Sequence, residues 1–191
     1  MAWNQSDEIV VANTGAVSVA PVGTALPTNP TAALNAAFIG LGYINEDGVS
    51  LSITPQITEF MAWQSRQAIR RELTAQEVQA QFNLQQWNET TVPLAFGGGA
   101  VTNPSGSIYK YTLPLDGDAL DERALVIDGI DGSRHFRLVL PRGNVTDAVS
   151  TTFRRSQEAL LPITFKALQP SDGEAPGYFL FDDAEAFATG S

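Results

Sequence analysis

From Glu77 to Gln85 the chain alternates. Val78, Ala80, Phe82 and Leu84 fall on one side, and Glu77, Gln79, Gln81, Asn83 and Gln85 on the other. A period of two predicts a β-strand with one apolar and one polar face. Gln and Ala favour helices, but on a helix these four apolar residues would scatter round the axis. The strand is expected to stop at Trp87. Asn88-Glu89-Thr90-Thr91 then offers N-cap candidates with an acid in the first turn. Val92, Leu94, Ala95 and Phe96 follow, and Gly97-Gly98-Gly99 ends the run as a helix C-terminus should. Pro93 fits if this short helix begins at Thr90 or Thr91.

The rest of the chain reads mostly as strands. Ile9-Val10-Val11 and Ala16 to Val19 are candidates for short ones, and Pro21, Pro27 and Pro30 mark an extended, irregular stretch. Phe38 to Ile44, the turn Asn45-Glu46-Asp47-Gly48 and a strand from Val49 predict a β-hairpin. Pro55 cannot donate to a ladder, so its strand lies at an edge or carries a bulge. Residues 59–73 are read as strand through Trp63, a loop around Gln64 to Gln67, and strand from Ala68; a helix is the alternative. Asn103-Pro104-Ser105-Gly106 is a loop. Strands are expected at Ile108 to Leu115, Ala124 to Asp128, Phe136 to Leu140, Val145 to Phe153, Leu161 to Ala167 and Tyr178 to Phe181, with a turn at Gly129 to Gly132. The expected fold is mainly β with one short helix. Two long hairpins are expected, around Thr58 to Trp87 and Arg134 to Gln169, each with Arg residues in its middle.

Composition narrows the function classes. With 191 residues the chain can bury one sizeable core. It has no apolar run of the length a membrane helix needs, and MAWNQSDE lacks the features of a signal peptide. Absence of Cys excludes disulfides; with one His, a structural zinc site is excluded too. Net charge of −10 argues against a static nucleic-acid binder. No Lys or Arg precedes Arg66 or follows Lys166, and nine of the eleven basic residues are Arg, the better partner for bidentate interface contacts. No nucleophile, base and orienting acid can be assembled around His135, so an enzyme is not expected. Asp116, Asp118, Asp121 and Glu122 lack the glycine and distal acid of a calcium loop and read as a solvated acidic loop.

LTAQEVQAQFNLQQWNETTVPLAFGG, from Leu73 to Gly98, resembles the major tail tube proteins of phages with long, non-contractile tails. VAPVGTALPTNPTAALNAAFIGLGYINEDGVSL upstream and LLPITFKALQ downstream resemble the same family. The resemblance covers roughly Glu8 to Asp183 and rests on the order of strands and caps. It implies a β-sandwich or barrel with a packed helix. Six copies would make a ring, with their long hairpins joined into one continuous barrel, and rings would stack into a hollow tube. It implies a virion location and no cofactor. Implied partners are further copies of the chain, a tape-measure protein, and tail-tip and tail-terminator proteins. Viral DNA would pass through without specific binding, and no membrane insertion is implied.

Within that frame residues 1–37 are expected to form an N-terminal arm and extended segment, 38–182 the β-domain, and 183–191 a flexible acidic tail. Glu77, Gln79, Gln81, Asn83 and Gln85 are the lumen-lining candidates, because acids and amides repel or fail to hold phosphate. Ile9, Val10, Val11, Arg66, Arg70, Arg71, Arg154 and Arg155 are the inter-subunit candidates. Deleting residues 1–20 is expected to leave a folded monomer that cannot polymerise. The inner tube of a contractile tail or secretion system is the runner-up. A carbohydrate-binding β-sandwich is the alternative from another class; it needs aromatics on one face, whereas Trp3, Trp63 and Trp87 are scattered.

Overall fold

The alternation around Phe82 folds as a long strand, and its apolar residues Val78, Ala80, Phe82 and Leu84 are all buried. The computed structural model describes residues 9–115, 119–147, 149–170 and 173–182. In chain order the elements are β1 (Thr14–Pro21), β2 (Ile39–Gly40), β3 (Ile44–Phe60), β4 (Arg70–Leu84), α1 (Thr91–Ala95), β5 (Ala100–Ser105), β6 (Ile108–Thr112), β7 (Arg123–Asp131), β8 (Arg134–Val145), β9 (Leu161–Ala167) and β10 (Tyr178–Phe181). One antiparallel sheet runs in the order β2-β1-β7-β8-β9-β4-β3, with β10 also paired to β8; β5 and β6 form a separate hairpin. The fold is mainly β with one short helix, as the patterning predicts.

The edge strands of this sheet, β2 and β3, are consecutive in the chain. Only Leu41, Gly42 and Tyr43 join them. Gly40 and Ile44 can then be no more than ~14 Å apart. Leu41 N–H donates to the Val17 carbonyl on β1 (2.9 Å), and the Tyr43 carbonyl accepts from Gln85 N–H beyond β4 (3.0 Å). The sheet therefore curls until its two ends meet, as an incomplete barrel. Its inward faces share one core: Val17 and Val19 join Phe82, Leu84, Leu125, Leu140, Ile163 and Phe165. The helix α1 plugs this core with Leu94 and Ala95.

The helix has the expected bounds, with Thr90 as N-cap. Its cap is made by Asn88, whose Oδ1 accepts from the N–H groups of Thr90 and Thr91, both at 2.9 Å. Glu89 precedes the N-cap, so the predicted acid in the first turn is absent. Gly97, Gly98 and Gly99 all have positive φ and stop the helix; Gly98 N–H donates to the Pro93 carbonyl at 2.8 Å.

Several expectations are corrected. Asn45 to Gly48 is not a hairpin turn. Ile44 pairs with Leu84 and Val49 with Phe82, so the four residues bulge out of one continuous strand. The run before them pairs with β1 instead, through Ile39 and Gly40. Val145 to Phe153 is not a strand: β8 ends at Val145 and described residues up to Leu160 are irregular, apart from one bridge between Arg154 and Gln157. Arg134 to Gln169 is likewise not a long hairpin. β8 meets β9 only from Gly143 to Val145, because β10 occupies that side of β8 from Phe136 to Val139. Asn103 to Ser105, expected as part of a loop, belong to β5. Ile9 to Val11 is not a strand but lies exposed beside the β7–β8 turn. Val11 N–H donates to Asp131 (2.9 Å), and Arg134 donates to the Ile9 carbonyl (3.0 Å).

The irregular stretch between β1 and β2 is fastened from outside. Arg137 on β8 is buried, ion-paired with Asp128, and donates through Nη1 to the carbonyls of Asn29 (2.8 Å) and Ala32 (2.9 Å). Tyr178 donates to the Pro27 carbonyl (3.0 Å). Removing one partner of a buried ion pair leaves the other uncompensated. Arg137→Ala is expected to cost ~3–5 kcal/mol, read as a shift in the urea unfolding midpoint. A midpoint within error of wild type would refute the role.

Candidate functional site: a polar sheet face and a projecting hairpin

On the outward side of the curled sheet, β3, β4 and β9 lie side by side. Ser50, Gln81 and Thr164 align across the three strands, as do Ser52, Gln79 and Lys166; Thr54 pairs with Glu77 and Asn83 with Pro162. Directly opposed residues share a face. Glu77, Gln79, Gln81 and Asn83 therefore stand on one polar surface, continued by hydroxyls. Gln85 lies past the end of β4 and bonds Glu158 through its amide (3.1 Å).

Lys166 is the cation of these three strands' shared polar face. Its Nζ sits 2.9 Å from Asp147 and 3.3 Å from Glu77. Hydrogen bonds to Asp147 and then Glu77 raise its pKa above the usual lysine range. The sequence pattern does not reveal this cluster, since Lys166, Glu77 and Asp147 are distant in sequence. Its charge is covered by two carboxylates.

β4 meets β9 only between Gln79 and Leu84. Among the described residues, β4 pairs from Arg70 to Val78 with β3 alone, so the hairpin projects as a two-stranded ribbon. From Ile53 to Gln76 every residue except Ala62, Ser65 and Ala68 is exposed. Ile53, Ile57, Phe60, Met61, Ile69 and Leu73 are all exposed, and Trp63 at the tip is 100% exposed. A lone ribbon with apolar side chains and open edges is marginal in water and invites another strand. Pro55 sits on β3, the sheet's edge, next to a register shift after Gln56, so both expectations for it hold.

The inter-subunit candidates are exposed but not gathered in one place. Arg66 is in the hairpin's tip loop and Arg70 and Arg71 are next to it at the start of β4; Arg71 pairs with Glu59 at 2.8 Å and Arg70 with Glu72 at 3.7 Å. Arg154 and Arg155 lie on the excursion between β8 and β9. That excursion is held by Trp87, which donates to the Ala159 carbonyl (2.7 Å) and lies 5.5 Å from the Phe153 ring.

The acidic stretch is not simply solvated. Asp116 and Asp118 lie outside the described residues. Asp121 pairs with Arg123 (2.9 Å), and Glu122 takes a two-pronged contact from Arg142 at 2.7 and 2.9 Å. The Arg142 hydrogen bond holds the Glu122 carboxyl below its ordinary range. Its contribution to stability is present at neutral pH and is lost as pH falls through that lowered value. Among the described residues no three His, Asp or Glu side chains come together as metal ligands. His135 is partly buried on β8, and its Nδ1 has no hydrogen-bond partner.

A family model described as phage tail tube protein matches residues 1–190 of the chain. A search of curated protein sequences returns no match. The match spans the strands that build the polar face, the projecting hairpin and the capped helix, so this chain belongs to the phage tail tube protein family, non-enzymatic structural components of the virion tail.

Proposed function

We propose that the chain is the major tail tube subunit: six copies form a ring, rings stack, and the polar face of β3, β4 and β9 lines the channel through which DNA leaves. The observation that carries this reading is the projecting β3–β4 ribbon, with open edges and exposed apolar residues beside a face whose cation is covered by two acids. Joining such ribbons between neighbours closes a barrel and removes every edge. A head-to-tail contact that closes by rotation makes the ring, and stacking extends it. A face of hydroxyls, amides and compensated charge gives passing phosphates little to hold.

Residues 1–13, ahead of β1, are the arm that reaches a neighbouring copy in this reading. Arg66, Arg70, Arg71, Arg154 and Arg155 face other subunits. Tape-measure, tail-tip and tail-terminator proteins are the remaining partners. Negative-stain electron microscopy of the purified chain at high concentration, with a light-scattering mass, tests the assembly. Rings or hollow tubes are expected. A monomer at every concentration, together with isolated phage tails that lack this chain, would refute it.

The Lys166 cluster gives a sharper test. In Glu77→Gln with Asp147→Asn, the ammonium stands uncovered in the channel. DNA ejection in vitro is expected to slow ~10-fold at low salt and to recover as salt rises. Unchanged ejection kinetics in normally assembled tails would count against the channel assignment.

A further inference from the structure

Trp63 lies just beyond one end of β3, and a cleft with apolar walls lies at the other end. The tip loop, residues 61–69, is ordered by its own hydrogen bonds. Ile69 N–H donates to the Phe60 carbonyl (2.9 Å), Ser65 N–H to the Ala62 carbonyl (3.1 Å), and Ser65 Oγ to the Gln67 carbonyl (3.0 Å). A preorganised loop thus presents a wholly exposed indole. The cleft, of about 460 Å³, opens where the curled sheet fails to close, between β1 and β3. Val17, Leu51, Ile127, Leu138 and Phe179 wall it.

The charges are of opposite sign. Arg66 stands on the tip, where Arg70 and Arg71 are already paired with Glu72 and Glu59, and Glu46 lines the cleft with Asp47 next to it on the bulge. Asn45, in the same bulge, donates through Nδ2 to Asp47, while its own Oδ1 is shielded from water and has no hydrogen-bond partner. An unmet acceptor is unfavourable. An indole N–H, which itself needs a partner when buried, is a donor of the kind this acceptor lacks. From Val49 to Phe60 the strand rises roughly 36 Å at ~3.3 Å per residue, so knob and hole lie at opposite ends of the subunit. They cannot meet within one copy, but head-to-tail stacking brings one end of each copy to the other end of the next.

We propose that Trp63 of one copy seats in the β1–β3 cleft of a copy in the adjacent ring and anchors ring stacking. This rests on the stacked-ring reading above. The chain has no native Cys, so Gln64→Cys with Ala16→Cys places one thiol beside the knob and one in the wall of the cleft. Tails from phage carrying the pair are treated with a short bismaleimide and run on a denaturing gel. The expected result is a ladder running well beyond six subunits, absent from either single variant. A ladder ending at the size of one ring, or intact tubes with both thiols labelled and no ladder, would overturn the proposal. So would a cross-link formed instead from a Cys at position 3, which would give the cleft to the N-terminal segment.

A second measurement guards against a misfolded variant. Trp63→Ala is expected to keep the wild-type melting temperature and to need at least ~10-fold more protein to form tubes. Equal assembly would refute the anchor. Absence of stacked rings in micrographs of wild-type tails would instead sink the assembly reading itself.

Discussion

Phage carrying Gln79→Lys together with Gln81→Lys are expected to build tails of normal length and to deliver their genomes ~100-fold less often, because each Lys offers passing phosphates a favourable contact. The two amides stand on β4 opposite Ser52 and Ser50, on the same face as Glu77 and Asn83. Neither contributes to the core, which β4 builds from Val78, Ala80, Phe82 and Leu84. Folding and assembly should therefore survive. Two added cations per subunit, repeated round every ring, would give the DNA a continuous track to bind as it moves. The wild-type face avoids this by covering Lys166 with Glu77 and Asp147. Plaque counts per physical particle, with tail length by microscopy, measure the effect. Normal infectivity would place this face outside the channel.

Deleting residues 1–20 is expected to unfold the chain, and deleting residues 1–8 to leave it folded. This reverses the deletion outcome expected from sequence, where residues 1–37 read as an N-terminal arm and extended segment with Ala16 to Val19 a candidate strand. β1 lies inside the main sheet between β2 and β7 and pairs with β7 from Thr14 to Pro21. Val17, Val19 and Ala20 are buried. Burial of the two Val side chains alone stabilises by ~3–6 kcal/mol, and the strand's ladder is lost with them. A domain of this kind holds only ~5–15 kcal/mol in total. Circular dichroism melts of the two deletions check the claim. A cooperative melt near wild type for the longer deletion would refute the place of β1 in the fold.

These two cases show what the sequence could and could not convey. Strands with one buried face, such as β4 and β9, announce themselves because burial alternates with the chain's own period of two. Leu161, Ile163 and Phe165 were legible for that reason and are buried. β1 was only half legible, because Thr14 to Ala16 carry no apolar alternation and their pairing with β7 is set by distant residues. The Asn45–Gly48 bulge was mistaken for a turn because bulges and turns use the same residue types. What separates them is the partner strand, and Ile44 and Val49 share β4. Val145 to Phe153 has apolar residues, but β8 gives up its pairing there and Phe153 goes to Trp87.

The polar face was legible as a pattern, though its chemistry was not. Periodicity alone groups Glu77, Gln79, Gln81, Asn83 and Gln85, and the first four stand on β4 while Gln85 lies just past its end. Lys166 could not be assigned to them, because it arrives through the β4–β9 register, and Asp147 arrives from beyond the end of β8. The hairpin's exposure was equally hidden. Ile57, Phe60, Trp63 and Leu73 look like core residues in sequence, but they lie on the part of the hairpin that, among the described residues, no other strand joins, and they are exposed.

The most direct test is a helical reconstruction of the phage tail by cryo-electron microscopy, at a resolution that traces β-strands. The account predicts stacked six-fold rings, with the β3–β4 ribbons of neighbours joined into one barrel and Glu77, Gln79, Gln81 and Asn83 facing the channel. A tube in which these four residues face outward, or in which the ribbons do not join, would contradict it.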